Sequence, residues 1–362
     1  MKILDRYVAA QMLMPFLFGV AAFTCLFVSS DLLRLAGMVV ELGAPVGAVA
    51  RVFFLQLPQV IVLTLPMSVL LATLLALSRL SATSEIVAMR AGGLSFWRYT
   101  APIFVIAACV SVVAFGVNEW IVPKSNLEAE RVMAEEVRGR PLPSTQNNLQ
   151  MWGRDSTHGV WTLYAQRFDS REQIMENLVF TRLSGGRPVE TTAAKRAVWD
   201  NDMWYMEGAE SYLFGGDAGV ITVSFSELRQ PLDIGQSPEQ IALRNRDPDQ
   251  MSLVELREYV AELREQGADV RELEVQLHLK YSLPAASLVF ALIAAPLGVQ
   301  SHRSSTSTGF GMSIVIIFIY YVLMTVGTAL GQAGTIPPLL GAWIQNIAVG
   351  GTGVFLMIRQ GR

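Results

Sequence analysis

From Ser304 to Ile358 the chain runs for 55 residues without one charged side chain. A helix crosses a bilayer with about 20 predominantly apolar residues, because each backbone polar group must be satisfied inside the segment where no water can reach it. A run of this length is too long for one such helix and suits two, turning at Gly331-Gln332-Ala333-Gly334-Thr335-Ile336-Pro337-Pro338. Shorter uncharged gaps repeat the pattern: 24 residues between Arg6 and Asp31, 27 between Arg51 and Arg79, 20 between Arg98 and Glu119, and 21 between Lys280 and His302. The count predicts six spans. Pro58 and Pro66 interrupt the second, Pro284 and Pro296 the fourth.

Charge is distributed to match. Only 16% of residues are charged and 52% are hydrophobic, with a mean hydropathy of +0.38. Of the 59 charged residues, 44 lie between Lys124 and Lys280, as 18 basic and 26 acidic. The remaining 15, 10 basic and 5 acidic, are scattered through the other 205 residues. A hydrophilic middle of net −8 therefore sits between apolar flanks of net +5. The expected fold class is a membrane α-helical protein in which six transmembrane helices (3+3) flank an inserted β domain. Residues 1–123 are assigned to helices one to three, 124–250 to the β domain, 251–279 to an amphipathic connecting helix and 280–362 to helices four to six. The slightly acidic balance offers no basic face for nucleic acid. Cys25 and Cys109 fall in apolar runs without metal-ligand neighbours, so neither a disulfide framework nor a metal site is expected.

Lysine and arginine in short loops orient the spans. With the amino terminus cytoplasmic, Lys2, Arg6, Arg79, Arg90, Arg98, Arg303, Arg359 and Arg362 lie inside, and only Arg34 and Arg51 lie in short outer loops. Both termini are thus expected inside and the insertion outside. The first apolar run exceeds the 7–15 residues of a signal-peptide core, and it reads as an uncleaved anchor.

Within the insertion, Glu128 to about Asp249 reads as strands at roughly ten-residue spacing: Val160–Ala165, Leu178–Leu183, Val189–Trp199, Met203–Glu207, Ser211–Phe214 and Val220–Phe225. An antiparallel sandwich or jelly roll fits this spacing. Most of its aromatics suit a core, while Trp152, Trp161 and Phe168 are candidates for lining an acyl-chain slot. Ser252-Leu253-Val254-Glu255 forms a capping box, followed by Leu253, Leu256, Tyr259, Val260 and Leu263 at helical spacing until Gly267. This predicts an amphipathic helix serving as a tether.

The spans lack Asp, Glu, His and Lys in their interiors, the costly groups that ion-coupled carriers use. The sequence has no Gly-x-x-x-x-Gly-Lys-[Ser/Thr] loop to cradle ATP phosphates and no His-Glu-x-x-His, so no cofactor, metal or enzyme activity is read from it. Energy for uphill movement must come from a partner. The inner loop between spans two and three is the candidate contact. Ser81-Ala82-Thr83-Ser84 offers caps, Glu85 sits near the positive helix end, Ile86, Val87 and Met89 are apolar, and Gly92-Gly93 stops the helix. Such a short helix, about residues 81–93, can enter a groove on a soluble motor or lie flat on the headgroups.

Leu4-Asp5-Arg6-Tyr7, Ser84-Glu85-Ile86-Val87-Ala88-Met89-Arg90-Ala91-Gly92-Gly93, Ala197-Val198-Trp199-Asp200-Asn201-Asp202-Met203-Trp204, His278-Leu279-Lys280-Tyr281-Ser282-Leu283-Pro284 and Ala295-Pro296-Leu297 together resemble the LptF/LptG (YjgP/YjgQ) family of lipopolysaccharide export permeases. The resemblance covers essentially the whole chain. It implies a permease half of an ABC-type transporter in the bacterial inner membrane, paired with a second LptF/LptG-type chain. A cytoplasmic ATPase dimer would dock on the coupling helices, with Glu85, Ile86, Met89, Arg90 and Gly92 in the matching motif. Lipopolysaccharide would enter near spans one and five, leave the outer leaflet, and pass through periplasmic jelly rolls to a bridge protein of similar fold. Arg34 matches a basic position associated with the lipid's phosphates, which charge-assisted hydrogen bonds make reasonable. The family often has a second basic residue three positions earlier, where this chain has Asp31. A mechanotransmission permease for another lipid or lipoprotein, usually of four spans, and a non-transporting assembly scaffold are the alternatives.

Overall fold

A computed structural model describes residues 3–137, 145–154, 160–170, 172–184, 187–201, 203–215, 219–225, 229–232, 234–235, 238, 241, 248–265, 269–299 and 306–361. The chain divides into two compact units. One comprises Met1–Met133, Pro248–Arg257 and Arg271–Arg362; the other comprises Ala134–Asp247 and Glu258–Val270.

The first unit is a helical bundle: α1 (Ile3–Leu42), α2 (Val46–Ala82), α3 (Glu85–Ala91), α4 (Phe96–Trp120), α5 (Val122–Val132), the start of α6 (Leu253–Glu265), α7 (Arg271–Val299), α8 (Thr306–Gln332) and α9 (Pro338–Gly361). Among the described residues six of these, α1, α2, α4, α7, α8 and α9, are long and apolar enough to cross a membrane. The expected six-span arrangement holds, and the turn after α8 falls at Ala333–Pro337 within the predicted segment. α1, α2, α4 and α7 extend past their uncharged gaps, because a helix continues into the headgroup region wherever its charged side chains can be solvated or paired. Lys280, which bounds the fourth gap, lies inside α7, buried, with Nζ donating to the Met251 carbonyl at 2.8 Å.

α2 and α7 form the centre of the bundle. Their most apolar windows are 78% and 67% buried, against 17% for both α1 and α8. Small residues allow the close approaches that membrane helices use in place of a hydrophobic drive. A Cβ on Gly341 of α9 would stand 2.8 Å from the Gly327 carbonyl oxygen and 3.0 Å from the Gly331 Cα, both on α8. One on Gly353 would stand 2.8 Å from the Ile293 nitrogen of α7. Hydroxyl and amide side chains add cross-helix bonds: Ser111 to the Pro284 carbonyl, Ser81 to the Val299 carbonyl at 3.1 Å, and Gln360 to the Pro296 carbonyl at 2.8 Å.

Among the described residues the second unit holds seven antiparallel strands: β1 (Thr145–Arg154), β2 (Val160–Asp169), β3 (Ile174–Ser184), β4 (Arg187–Asp200), β5 (Met203–Gly215), β6 (Gly219–Phe225) and β7 (Gln230–Leu232). The first six pair in sequence order as a meander, and β7 joins β5 beside β6. The β domain is thus inserted between the third and fourth membrane helices as expected. Three details differ from the strand reading. Residues from Glu128 are still helical, in α5 and a short π-helical turn (Met133–Val137). Pro123 opens α5, and Val122, Ala129 and Val132 bury one helical face, a 3.6-residue period easily missed among so many charges. β1 lies ahead of the first strand expected from sequence, Val160–Ala165. Met203–Glu207 and Ser211–Phe214 form one strand.

That fusion has a backbone cause. Gly208 has φ +63°, and across it the buried positions switch from Trp204 and Met206 to Ala209 and Ser211. A glycine in the left-handed region rotates the strand without ending it. Asn177, at φ +50°, makes the same switch in β3, where its Nδ2 donates to Gln166 Oε1 at 2.7 Å and the burial alternates from Leu178 and Phe180 to Met175. These switches bring Phe168, Met175, Ala197 and Trp204 into one core with Trp161, Leu163 and Leu178.

The predicted capping box at the start of α6 is present. The Ser252 N–H donates to Glu255 Oε2 at 2.7 Å, and the Glu255 N–H donates to Ser252 Oγ at 3.2 Å. The helix runs to Glu265, and Gly267, its expected stop, lies outside the described residues.

Candidate functional site

α3 is a single seven-residue helix suspended between two left-handed joints, Ser84 at φ +61° and Gly93 at φ +78°. The Gly92-Gly93 stop therefore works as predicted, with the Gly92 and Gly93 amides bonded to the Ala88 and Arg90 carbonyls. The expected side-chain cap does not form. Ser84 makes no capping bond, because its left-handed backbone is not the extended one a capping residue needs. Thr83 instead donates to Glu85 Oε1 at 3.0 Å.

The five motif residues divide by face. Ile86 is 2% exposed and Met89 is half-buried, both set into the bundle core with Val8, Leu80, Phe96 and Tyr99. Arg90 reaches back to the Tyr99 hydroxyl, Nε to Oη 3.4 Å. Val87, Ala88, Ala91 and Gly92 face outward, together with Trp97 at the start of α4. Of the apolar residues singled out by sequence, Ile86 and Met89 therefore anchor the helix, and Val87 is the exposed one. Sequence spacing could not assign the faces, since a seven-residue helix carries too few positions to define an apolar stripe.

Glu85 is held from a second helix. The Tyr7 hydroxyl of α1 donates to Glu85 Oε2 at 2.7 Å. Two residues earlier on α1, Asp5 pairs with Arg98 of α4, Nη1 to Oδ1 2.6 Å. Both α1 residues belong to the Leu4–Tyr7 motif, and their partners lie too far along the chain for a local pattern to reveal them.

Near the other end of α1, Arg34 is half-exposed. Its guanidinium donates to Gln56 Oε1 of α2 at 3.3 Å and lies 3.7 Å from Asp31 Oδ1. The acidic residue that departs from the family pattern is therefore a neighbour of the guanidinium within the same helix. Between these ends, Leu17, Val20, Ala21, Thr24, Cys25 and Val28 of α1 and Phe53, Leu57 and Ile61 of α2 line an open apolar groove of about 450 Å³.

In the β domain, Trp161 and Phe168 are core side chains. Trp161 lies 5.9 Å from Phe180 between ring centroids and Phe168 lies 6.2 Å from Trp204. Trp152 pairs through its backbone with Thr162, and its side chain lies outside the described residues.

Six apolar helices with a sheet inserted after the third, a short helix projecting between the second and third, and an apolar groove on the first define a multi-pass membrane protein with an inserted β domain. A family model described as "Lipopolysaccharide export system permease LptF/LptG" matches residues 6–359, and the chain belongs to that family. It is 24% identical to the lipopolysaccharide export system permease protein LptG of Escherichia coli (strain K12), covering 99% of this chain and 98% of that protein. It is 26% identical to LptG of Haemophilus influenzae over 81% of this chain and 80% of that one. Against LptF of Escherichia coli (strain K12) the identity is 23%, over 95% and 92%.

Proposed function

We propose that this chain is one permease half of an ATP-driven exporter that extracts lipopolysaccharide from the outer leaflet of the bacterial inner membrane. It pairs with a second LptF/LptG-type chain, keeps both termini cytoplasmic, and holds the β domain in the periplasm, where lipid passes to a bridge protein of similar fold. Power comes from a dimeric cytoplasmic ATPase docked on α3.

The observation that carries this reading is the division of α3 into a buried anchor, Ile86, and an exposed apolar face of Val87, Ala88 and Ala91. A helix fixed on one side and apolar on the other suits insertion into a groove of a soluble motor. Supporting it, α1 and α8 are the spans least covered by their own chain, as an entry path near spans one and five requires. Arg34 would meet lipid phosphate through charge-assisted hydrogen bonds, displacing Gln56 and Asp31 as its partners. Acyl chains would follow the apolar inner face of the sheet, parting its core to reach Trp161 and Phe168, with Trp152 as a further proposed contact.

Co-purification of the chain from native membranes tests the reading. An ATP-hydrolysing subunit, a second permease chain and a retained glycolipid are expected. Charge reversal at Glu85 should leave that assembly intact while uncoupling ATP hydrolysis from lipid release. Release at the unmodified rate in the reversed variant would count against docking at α3.

A further inference from the structure

We infer that Asp5 and Tyr7 are positioning residues that make the first turn of α1 and the α3 segment move as one body. This inference rests on the reading of α3 as the docking helix. The covalent connections of α3 are poor transmitters of displacement. On one side Ser84 and on the other Gly93 hold the left-handed backbone, φ +61° and +78°, so the helix hangs between two sharp bends. A short element joined in that way pivots about its joints unless side chains fix it.

One polar tie leads to α1, while Ile86 packs also against α2 and α4 and Arg90 reaches Tyr99 of α4. Tyr7 Oη donates to Glu85 Oε2, 2.7 Å, at the first residue of α3. Asp5 Oδ1 accepts from Arg98 Nη1, 2.6 Å, in the first turn of α4, just beyond the second joint. Residues two apart on a helix project about 200° from one another, so one turn of α1 holds the first residue of α3 on one side and the first turn of α4 on the other. Between the two polar ties, Ile86 is buried in a cluster that includes Val8 and Met12 of the same helix, with Leu4 packed against it. The Asp5–Arg98 pair is only partly exposed, which limits solvent screening of its charge.

α1 is also the helix that lines the apolar groove through Leu17, Val20, Ala21, Thr24, Cys25 and Val28. Displacement of α3 by a docked partner would therefore reach one wall of that groove through α1, alongside a path through α2, which packs on α3 and forms the opposite wall.

Spin-label distances in the full-length chain, alone and within the complex recovered from native membranes, test this. With Cys25 and Cys109 replaced by serine, labels at Leu13→Cys and Ala91→Cys report the α1 to α3 distance. A single narrow distribution is expected, and Tyr7→Phe combined with Asp5→Asn should add a second, longer-distance population. The exchange Asp5→Arg with Arg98→Asp should restore the single distribution, which a merely general loss of stability would not permit. In the complex, Tyr7→Phe should retain the ATP-hydrolysing subunit but lower lipid released per ATP by about tenfold, the scale of one lost charged hydrogen bond. An unchanged distance distribution in the double variant, or failure of the charge exchange to restore it, overturns the inference. Failure to recover any ATP-hydrolysing subunit overturns the docking reading and leaves the distance measurement to decide whether α1 and α3 are joined.

Discussion

The Tyr320 hydroxyl of α8 donates to Asn346 Oδ1 of α9 at 2.8 Å, with both side chains buried. Asn346 in turn donates through Nδ2 to the Ser282 carbonyl of α7 at 2.8 Å, so one amide joins three membrane helices. Inside a bilayer an orphaned polar group finds no water, although alternative partners in the unfolded membrane state soften the loss. Asn346→Leu should destabilise the chain by about 1–2 kcal/mol, and Tyr320→Phe by about half that, because the phenylalanine orphans one acceptor rather than a donor and an acceptor. Unfolding in detergent by denaturant, with a double-mutant cycle, measures both. Additive losses would show that the two side chains do not act through each other.

The α8–α9 contact makes a second prediction with an internal control. A Cβ at Gly341 meets backbone atoms of Gly327 and Gly331, which cannot rotate aside, whereas nothing lies within 4 Å of one at Gly351. Gly341→Ala should cost about 1–3 kcal/mol by overpacking. Gly351→Ala, in the same helix, should be neutral or stabilising by up to about 1 kcal/mol through helix propensity. Thermal unfolding of the two variants side by side checks the sign.

Uncharged gaps reported the membrane helices because the bilayer penalises charge directly, and the capping box at Ser252–Glu255 was legible because both partners lie within four residues. β5 was split because Gly208 looks the same in sequence whether its positive φ turns a chain or rotates a strand in place. The ties of Asp5 to Arg98 and of Tyr7 to Glu85 join residues far apart in the chain, and no local pattern carries such a pairing.

In the β domain, Gly153 lies opposite Trp161, and a Cβ there would come within 2.5 Å of the indole Cζ2. Indole is rigid and buried in the core, so Gly153→Ala should force it aside at a cost of about 1–3 kcal/mol. Phe168→Ala removes a fully buried ring and should cost about 3–5 kcal/mol. The two variants should also differ in tryptophan emission, which shifts to the red where the indole becomes wetter. If Phe168 instead lines a lipid slot without supporting the core, its alanine variant would lose retained glycolipid while its unfolding midpoint stayed put.

Anchoring and docking separate most sharply at two adjacent residues of α3. Ile86 is 2% exposed and Val87 is 52% exposed. Ile86→Ala leaves a cavity among Leu80, Phe96 and Tyr99 and should cost about 2–5 kcal/mol, read as a lowered unfolding midpoint of the purified chain. Val87→Asp touches no core and should change stability by no more than about 0.5 kcal/mol. A carboxylate in the middle of the proposed docking face must, however, be desolvated when a motor covers it, and retention of the ATP-hydrolysing subunit should fall by a factor of about 10 or more. The opposite assignment, with Ile86→Ala losing the motor at unchanged stability and Val87→Asp retaining it, would mean that the helix presents its other face to the partner and turns away from the core on docking.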